Sequence, residues 1–174
     1  MKEKDRQRIE EYVKSLRWTP ENYYWQHAFL VRQFALLIQQ KVGGDREVVE
    51  MAALLHDVGK AELLAPGHEK ISAQKARILL TEMGVDRLKI NRVCGCVLYE
   101  DFGLVETRIL RAADSMSLLA DDSGGREWYF ENILGGDKKK VTQEINKSYS
   151  EVEFDFARVM IRSDYEKLKE VYSR

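Results

Sequence analysis

Apolar residues recur in steps of three and four along almost the whole chain, the period of amphipathic helices. Ile9, Tyr12, Val13 and Leu16 mark a first helix within residues 2–17, which Arg17 and Trp18 close. Thr19-Pro20-Glu21-Asn22 then reads as a helix start, with an N-cap, a proline in the first turn and an acid after it. The second helix runs to about Val42 and turns His27, Val31, Phe34, Ala35 and Ile38 inward. Gly43-Gly44 stops it and Asp45 caps a third, residues 46–57, rich in apolar positions. A loop at Ala65-Pro66-Gly67-His68 precedes a helix over roughly 69–83, ended by Gly84. Asp86 caps a helix reaching about Tyr99, and residues 105–120 form the next. Ser123-Gly124-Gly125 interrupts the chain before a short aromatic helix at Trp128-Tyr129-Phe130. Beyond Gly135-Gly136 lie a polar helix over 137–149 and an amphipathic one over 152–172.

No segment alternates with the period of a strand, and only 2 of the 174 residues are proline. The expected fold is therefore an all-α, single-domain helical bundle. Its core falls at about residues 20–120, with a C-terminal helical extension over about 121–174. Apolar residues make up 44% of the chain, enough for a core, and the 33% that are charged fall on helix faces. A net charge of −1 disfavours nucleic acid as a partner. No apolar run has membrane-spanning length, and the charged N-terminal residues do not resemble a secretory signal. The only cysteines, Cys94 and Cys96, lie two apart on a helix and face different ways, so both read as small core residues. Together these features predict a cytoplasmic protein.

The chemistry concentrates in Ala52-Ala53-Leu54-Leu55-His56-Asp57-Val58-Gly59-Lys60. An apolar helix ends in an imidazole and a carboxylate spread about 100° apart, which suits two ligands gripping one ion. Gly59 lets the chain turn out of the helix, and Lys60 places a cation just beyond. A polar helix C-cap is the alternative for an isolated His-Asp pair. Two further residues bear on it. His27 lies on the buried stripe of its helix, as a hydrogen-bonded core histidine also would. Asp114 lies in the inward face with Ile109, Leu110, Ala113, Met116 and Ser117. A carboxylate there needs a cation or donors.

His27, His56-Asp57 and Asp114, carried in this order on three helices, resemble the pattern of the HD-domain superfamily of metal-dependent phosphohydrolases. Asp45 to Lys60 is similar to the family's central segment. Gly67-His68-Glu69-Lys70-Ile71-Ser72-Ala73 resembles the segment after it, and Glu106 to Asp114 the helix bearing the last aspartate. The likeness covers roughly residues 20–120. It implies that His27, His56, Asp57 and Asp114 ligate one divalent ion (Mn, Co, Ni, Fe, Zn or Mg). Two imidazoles and two carboxylates balance such an ion and leave positions open for water and a phosphate oxygen. Asp57 could orient or deprotonate that water. Lys60, Arg32 and His68 are the residues expected to hold the phosphate, although a plain surface charge accounts for Arg32 equally well.

The pattern departs from the family at one place. Two-metal members carry further histidines on the helix occupied here by residues 86–100, where this chain has Tyr99 or Glu100. A mononuclear site follows. The expected activity is hydrolysis of a small phosphate ester, most plausibly a nucleotide, with Asp57 and Lys60 catalytic. The alternative is a sensor or interaction module that binds metal and nucleotide with weak turnover or none.

Overall fold

Every residue from Val48 to Leu55 is buried, so the helix Arg46–Leu55 has no solvent face beyond its first two residues. A helix apolar on all sides belongs in the middle of a bundle, and the others arrange around it. The computed structural model describes residues 1–16, 23–64, 66–100, 103–120 and 125–172. These residues form nine helices: α1 Glu3–Ser15, α2 Tyr23–Val42, α3 Arg46–Leu55, α4 His68–Glu82, α5 Arg87–Val97, α6 Val105–Ala120, α7 Gly125–Asn132, α8 Lys138–Glu151 and α9 Asp155–Tyr172. One 3₁₀ turn, Val58–Ala61, follows α3, and no strand occurs among the described residues. The fold is an all-α single domain. No helix is long and apolar enough to cross a membrane.

α3 packs against α1, α2, α5 and α6, while α2 and α6 also pack on each other. The start of α3 is tied down twice. The Asp45 carboxylate accepts from the amides of Glu47 (2.9 Å) and Val48 (3.3 Å), an N-cap that satisfies two helix-end donors. Its own amide donates to Glu106 Oε1 at 2.7 Å, and Arg92 on α5 pairs with the same buried Glu106 in the first turn of α6. This clamp sets the register of α3 against α6, and hence of His56 and Asp57 against Asp114. The extension is part of the same body: Phe130, Val141, Ile145, Ile161 and Leu168 join one core with Ile9, Leu55 and Leu110. Helices α8 and α9 pack on α6 and on each other.

Several sequence expectations shift by a few residues for physical reasons. α3 stops at Leu55; His56 is its C-cap, and Asp57 has already left helical geometry at φ −108°, ψ 3°. His68 belongs to the first turn of α4 rather than to a loop. The expected helix start at residues 19–22, the closing Arg17 and Trp18, Ala65 and the break at 123–124 lie outside the described residues. Gly43 and Gly44 end α2 with φ of 86° and 91°, a conformation that glycine adopts without a Cβ clash. Cys94 and Cys96 are buried free thiols, and burial pushes Cys96 up to about 11.

Gly59 is needed for a reason other than a left-handed turn. It sits within the 3₁₀ turn, donating its amide to Ser72 Oγ at 2.8 Å. A Cβ there would lie 2.2 Å from the His68 carbonyl oxygen and 2.7 Å from the Ser72 amide nitrogen. The α3–α4 connection therefore closes only because residue 59 has no side chain. Gly59→Ala is expected to destabilise the protein by about 3 kcal/mol, the upper part of the range for overpacking, because the obstructing atoms are backbone. Urea denaturation of the two proteins measures it.

Candidate metal centre

Three elements bring one atom or two each to a common point. α2 supplies His27, the end of α3 supplies His56 and Asp57, and the middle of α6 supplies Asp114. His27 Nε2 lies 3.2 Å from His56 Nε2, 3.4 Å from Asp57 Oδ2 and 3.3 Å from Asp114 Oδ1. His56 Nε2 lies 3.5 Å from Asp57 Oδ2 and 3.6 Å from Asp114 Oδ1. Four atoms bonded at ~2.1 Å to one ion would stand about 3.0–3.4 Å apart, depending on geometry. His27, His56 and Asp57 form a group that could hold a divalent cation, and Asp114 Oδ1 stands at a similar distance from both imidazoles.

The rear of each ring is also committed. His56 Nδ1 donates to the Ala53 carbonyl at 2.9 Å. His27 Nδ1 donates to Ser117 Oγ at 3.1 Å, and that hydroxyl passes its own hydrogen to the Asp114 carbonyl at 2.7 Å. Protons at Nδ1 leave both Nε2 lone pairs facing the carboxylates, the arrangement by which ligating histidines are usually oriented. The centre thus concentrates electron density and favours positive charge. Burial lowers the affinity of His27 for a proton, but the Asp114 and Asp57 carboxylates outweigh it and raise the imidazole to about 9. Burial pushes both aspartates up, yet each lies well below the usual carboxylate range. His56 and Lys60 lead the opposing effects at Asp57, and His27 and His56 do so at Asp114.

The second oxygen of each aspartate has its own partner. Asp57 Oδ1 is 3.2 Å from His68 Nε2, and Lys60 Nζ donates to Asp57 Oδ2 at 2.5 Å. Tyr99 donates its phenol to Asp114 Oδ2 at 2.9 Å. Burial and the two aspartates hold that phenol far above its ordinary pKa, so it stays a donor. Tyr99 is also the one non-glycine residue with positive φ, 52°, among the described residues, a conformation costing roughly 1–2 kcal/mol.

Of the residues expected at the site, His27, His56, Asp57, Asp114, Lys60 and His68 come together, and Arg32 does not. The Arg32 guanidinium donates to Glu50 from Nε at 2.8 Å and from Nη2, joining α2 to α3 inside the bundle. A lone glutamate in the apolar run around Met51 was the sequence signal for this pair. Ser117 and Tyr99 were not foreseen as supports. Nor were the α7 and α8 residues that, with His27, Lys60 and Asp114, border a cavity of about 140 Å³: Tyr129, Glu144 and Lys147 among them.

An all-helical bundle that turns imidazoles and carboxylates from three helices toward one point belongs to the class of helical domains with a site suited to a metal ion. The HD domain family matches residues 24–119, more than half of the chain. The chain belongs to that family, whose members are in general metal-dependent hydrolases. Three solved structures share the fold. The crystal structure of Bacillus subtilis YpgQ has a TM-score of 0.76 at 20% identity, over 98% of this chain and 92% of that one. YpgQ in complex with ADP has a TM-score of 0.73 at 21% identity, over 97% and 94%. An HD-superfamily hydrolase from Bacillus thuringiensis has a TM-score of 0.74 at 18% identity, over 99% and 95%. No curated protein matches the sequence.

Arg32→Ala should destabilise the fold by about 3–5 kcal/mol, because it strands the buried Glu50 charge. Replacing both residues by leucine should recover most of the loss. Denaturation of the single and double variants checks both expectations.

Proposed function

We propose that the protein is a metal-dependent phosphohydrolase acting on a small phosphate ester, in particular a nucleotide. One divalent ion per chain is held by His27, His56, Asp57 and Asp114. The observation that carries this reading is that Asp57 and Asp114 each bring a carboxylate oxygen within 3.3–3.6 Å of both imidazole Nε2 atoms, themselves 3.2 Å apart, with both Nδ1 protons turned away. When bound, the ion supplies Lewis acidity to a phosphate oxygen and lowers the pKa of water.

The protein groups divide the remaining work. Asp57 orients the attacking water, with His68 on its other oxygen. Lys60 borders the cavity and already neighbours Asp57. It is a flexible point charge suited to a phosphate, and moves from the carboxylate to the phosphoryl group when substrate enters. Tyr129 on the cavity wall gives an aromatic surface for a base. A nucleotide is favoured by the complex of YpgQ with ADP, a fold relative at 21% identity. Arg32 has no part in this reading, since Glu50 holds it.

Protein purified without chelator should carry about one equivalent of a divalent metal by elemental analysis. It should release phosphate or pyrophosphate from members of a nucleotide panel, and chelation should abolish this. Asp114→Ala should lose the metal and lower the melting temperature of the metal-free protein only modestly, since it gives up the pairing of Asp114 with His27 and leaves the helices in place. Metal retained by Asp114→Ala would overturn the ligand set. Nucleotide binding without turnover would instead identify a sensor.

Lys60→Ala should keep its metal and its melting temperature but lose catalytic efficiency. A raised KM at constant kcat would mean ground-state phosphate binding; a fall in kcat would mean contact with charge that develops in the transition state. Wild-type values for both would exclude Lys60 from the reaction.

A further inference from the structure

The end of α5 has an unusual residue for its shape. The Tyr99 amide donates to the Cys96 carbonyl at 2.9 Å and the Glu100 amide to the Gly95 carbonyl at 3.2 Å. These are the two bonds of a Schellman motif, in which the residue in Tyr99's place is left-handed and ordinarily glycine. Gly84, in the corresponding position after α4, obeys the rule with φ 72°. Here a bulky aromatic residue occupies it at φ 52°. Strain kept at one position, beside a cluster of ionisable groups, calls for a function of the side chain.

The side chain does reach the cluster. From its left-handed position it runs across to α6 and donates to Asp114 Oδ2 at 2.9 Å, while Asp114 Oδ1 faces His27 and His56. Asp114 borders the open cavity, so its carboxylate has room to rotate about its last bond. Ser117 binds only the backbone carbonyl of Asp114. Among the contacts described for this carboxylate, the phenol alone anchors the oxygen turned away from the imidazoles.

We propose that Tyr99 is a positioning residue that pins Oδ2 of Asp114, making this carboxylate a one-oxygen ligand and leaving more of the ion's coordination sphere for substrate and water. The proposal rests on the metal site proposed above. Because the hydroxyl acts through Asp114, its removal changes how the metal is held and not whether the bundle folds.

The test is titration of the metal-free protein with Co²⁺, following affinity and the visible absorption that reports ligand geometry, in wild type, Tyr99→Phe and Tyr99→Asn. Phenylalanine keeps the ring and the backbone demand. Asparagine tolerates the left-handed conformation but is too short to reach Asp114. Both variants should bind Co²⁺ about 10–100-fold more weakly, as expected on loss of a group that orients a ligand. Both should show a changed Co²⁺ spectrum, and Tyr99→Phe should keep the wild-type melting temperature without metal. Wild-type affinity and spectrum in Tyr99→Phe would overturn the proposal, even if Tyr99→Asn were impaired, because the ring and not the hydroxyl would then matter. Weakened binding that merely tracks a lowered metal-free melting temperature would overturn it too. A flat wild-type titration would overturn the metal site itself, a result distinguishable because it appears before any substitution is made.

Discussion

The Nε2 atoms of His27 and His56 stand 3.2 Å apart, each within 3.3–3.6 Å of a carboxylate oxygen of Asp57 and of Asp114, an arrangement that favours positive charge among them. The surrounding structure holds them there. The Ala53 carbonyl and the Ser117 hydroxyl fix the rear of the rings, Lys60 and His68 flank Asp57, and Tyr99 holds Asp114. Lys60 brings positive charge to the Asp57 oxygen that faces the rings, and the other contacts keep the donors in place. The arrangement favours a cation, whether the proton held at His27 or, on the proposed reading, a divalent ion that would displace it.

Rigidity of this kind is built at some distance from the centre. Glu106 receives both the Asp45 amide and Arg92, locking the start of α6 to the start of α3 and to α5. Arg32 and Glu50 lock α2 to α3. Gly59 lets the 3₁₀ turn lie directly on the start of α4, which carries His68 to Asp57. Each helix that delivers a group to the site is thus braced by a buried polar link or a close backbone contact. Apolar packing alone would allow helices to slide, since it has little directionality, whereas charged pairs and a missing Cβ specify register.

The C-terminal helices change the character of the site. The family match ends at residue 119, and the groups that touch the centre directly lie within it. The cavity wall opposite comes from α7 and α8, with Tyr129, Glu144 and Lys147. The cavity is thus shared between the segment that matches the family and the helices that follow it.

Helix number and order were legible in the sequence, because a 3.6-residue period and caps such as Asp45 and Asp86 are local properties. The prominence of His56, Asp57 and Asp114 was legible too, since polar groups in apolar runs stand out one by one. The same signal at Glu50 went unread: its partner Arg32 is 18 residues away, and only the packing of α2 on α3 shows which cation a buried acid takes. Tyr99 could be seen to depart from the family pattern, but its hydroxyl bond to Asp114 depends on a left-handed helix end and a neighbouring helix. Gly59 looked like a turn glycine and proved to be a contact glycine, because the obstacle is the His68 backbone and not its own φ. The sequence by itself thus determined the helices and the residues of unusual chemistry, both written in local composition. Tertiary structure decided which polar groups meet, because partners distant along the chain are chosen by helix packing, which no local pattern encodes.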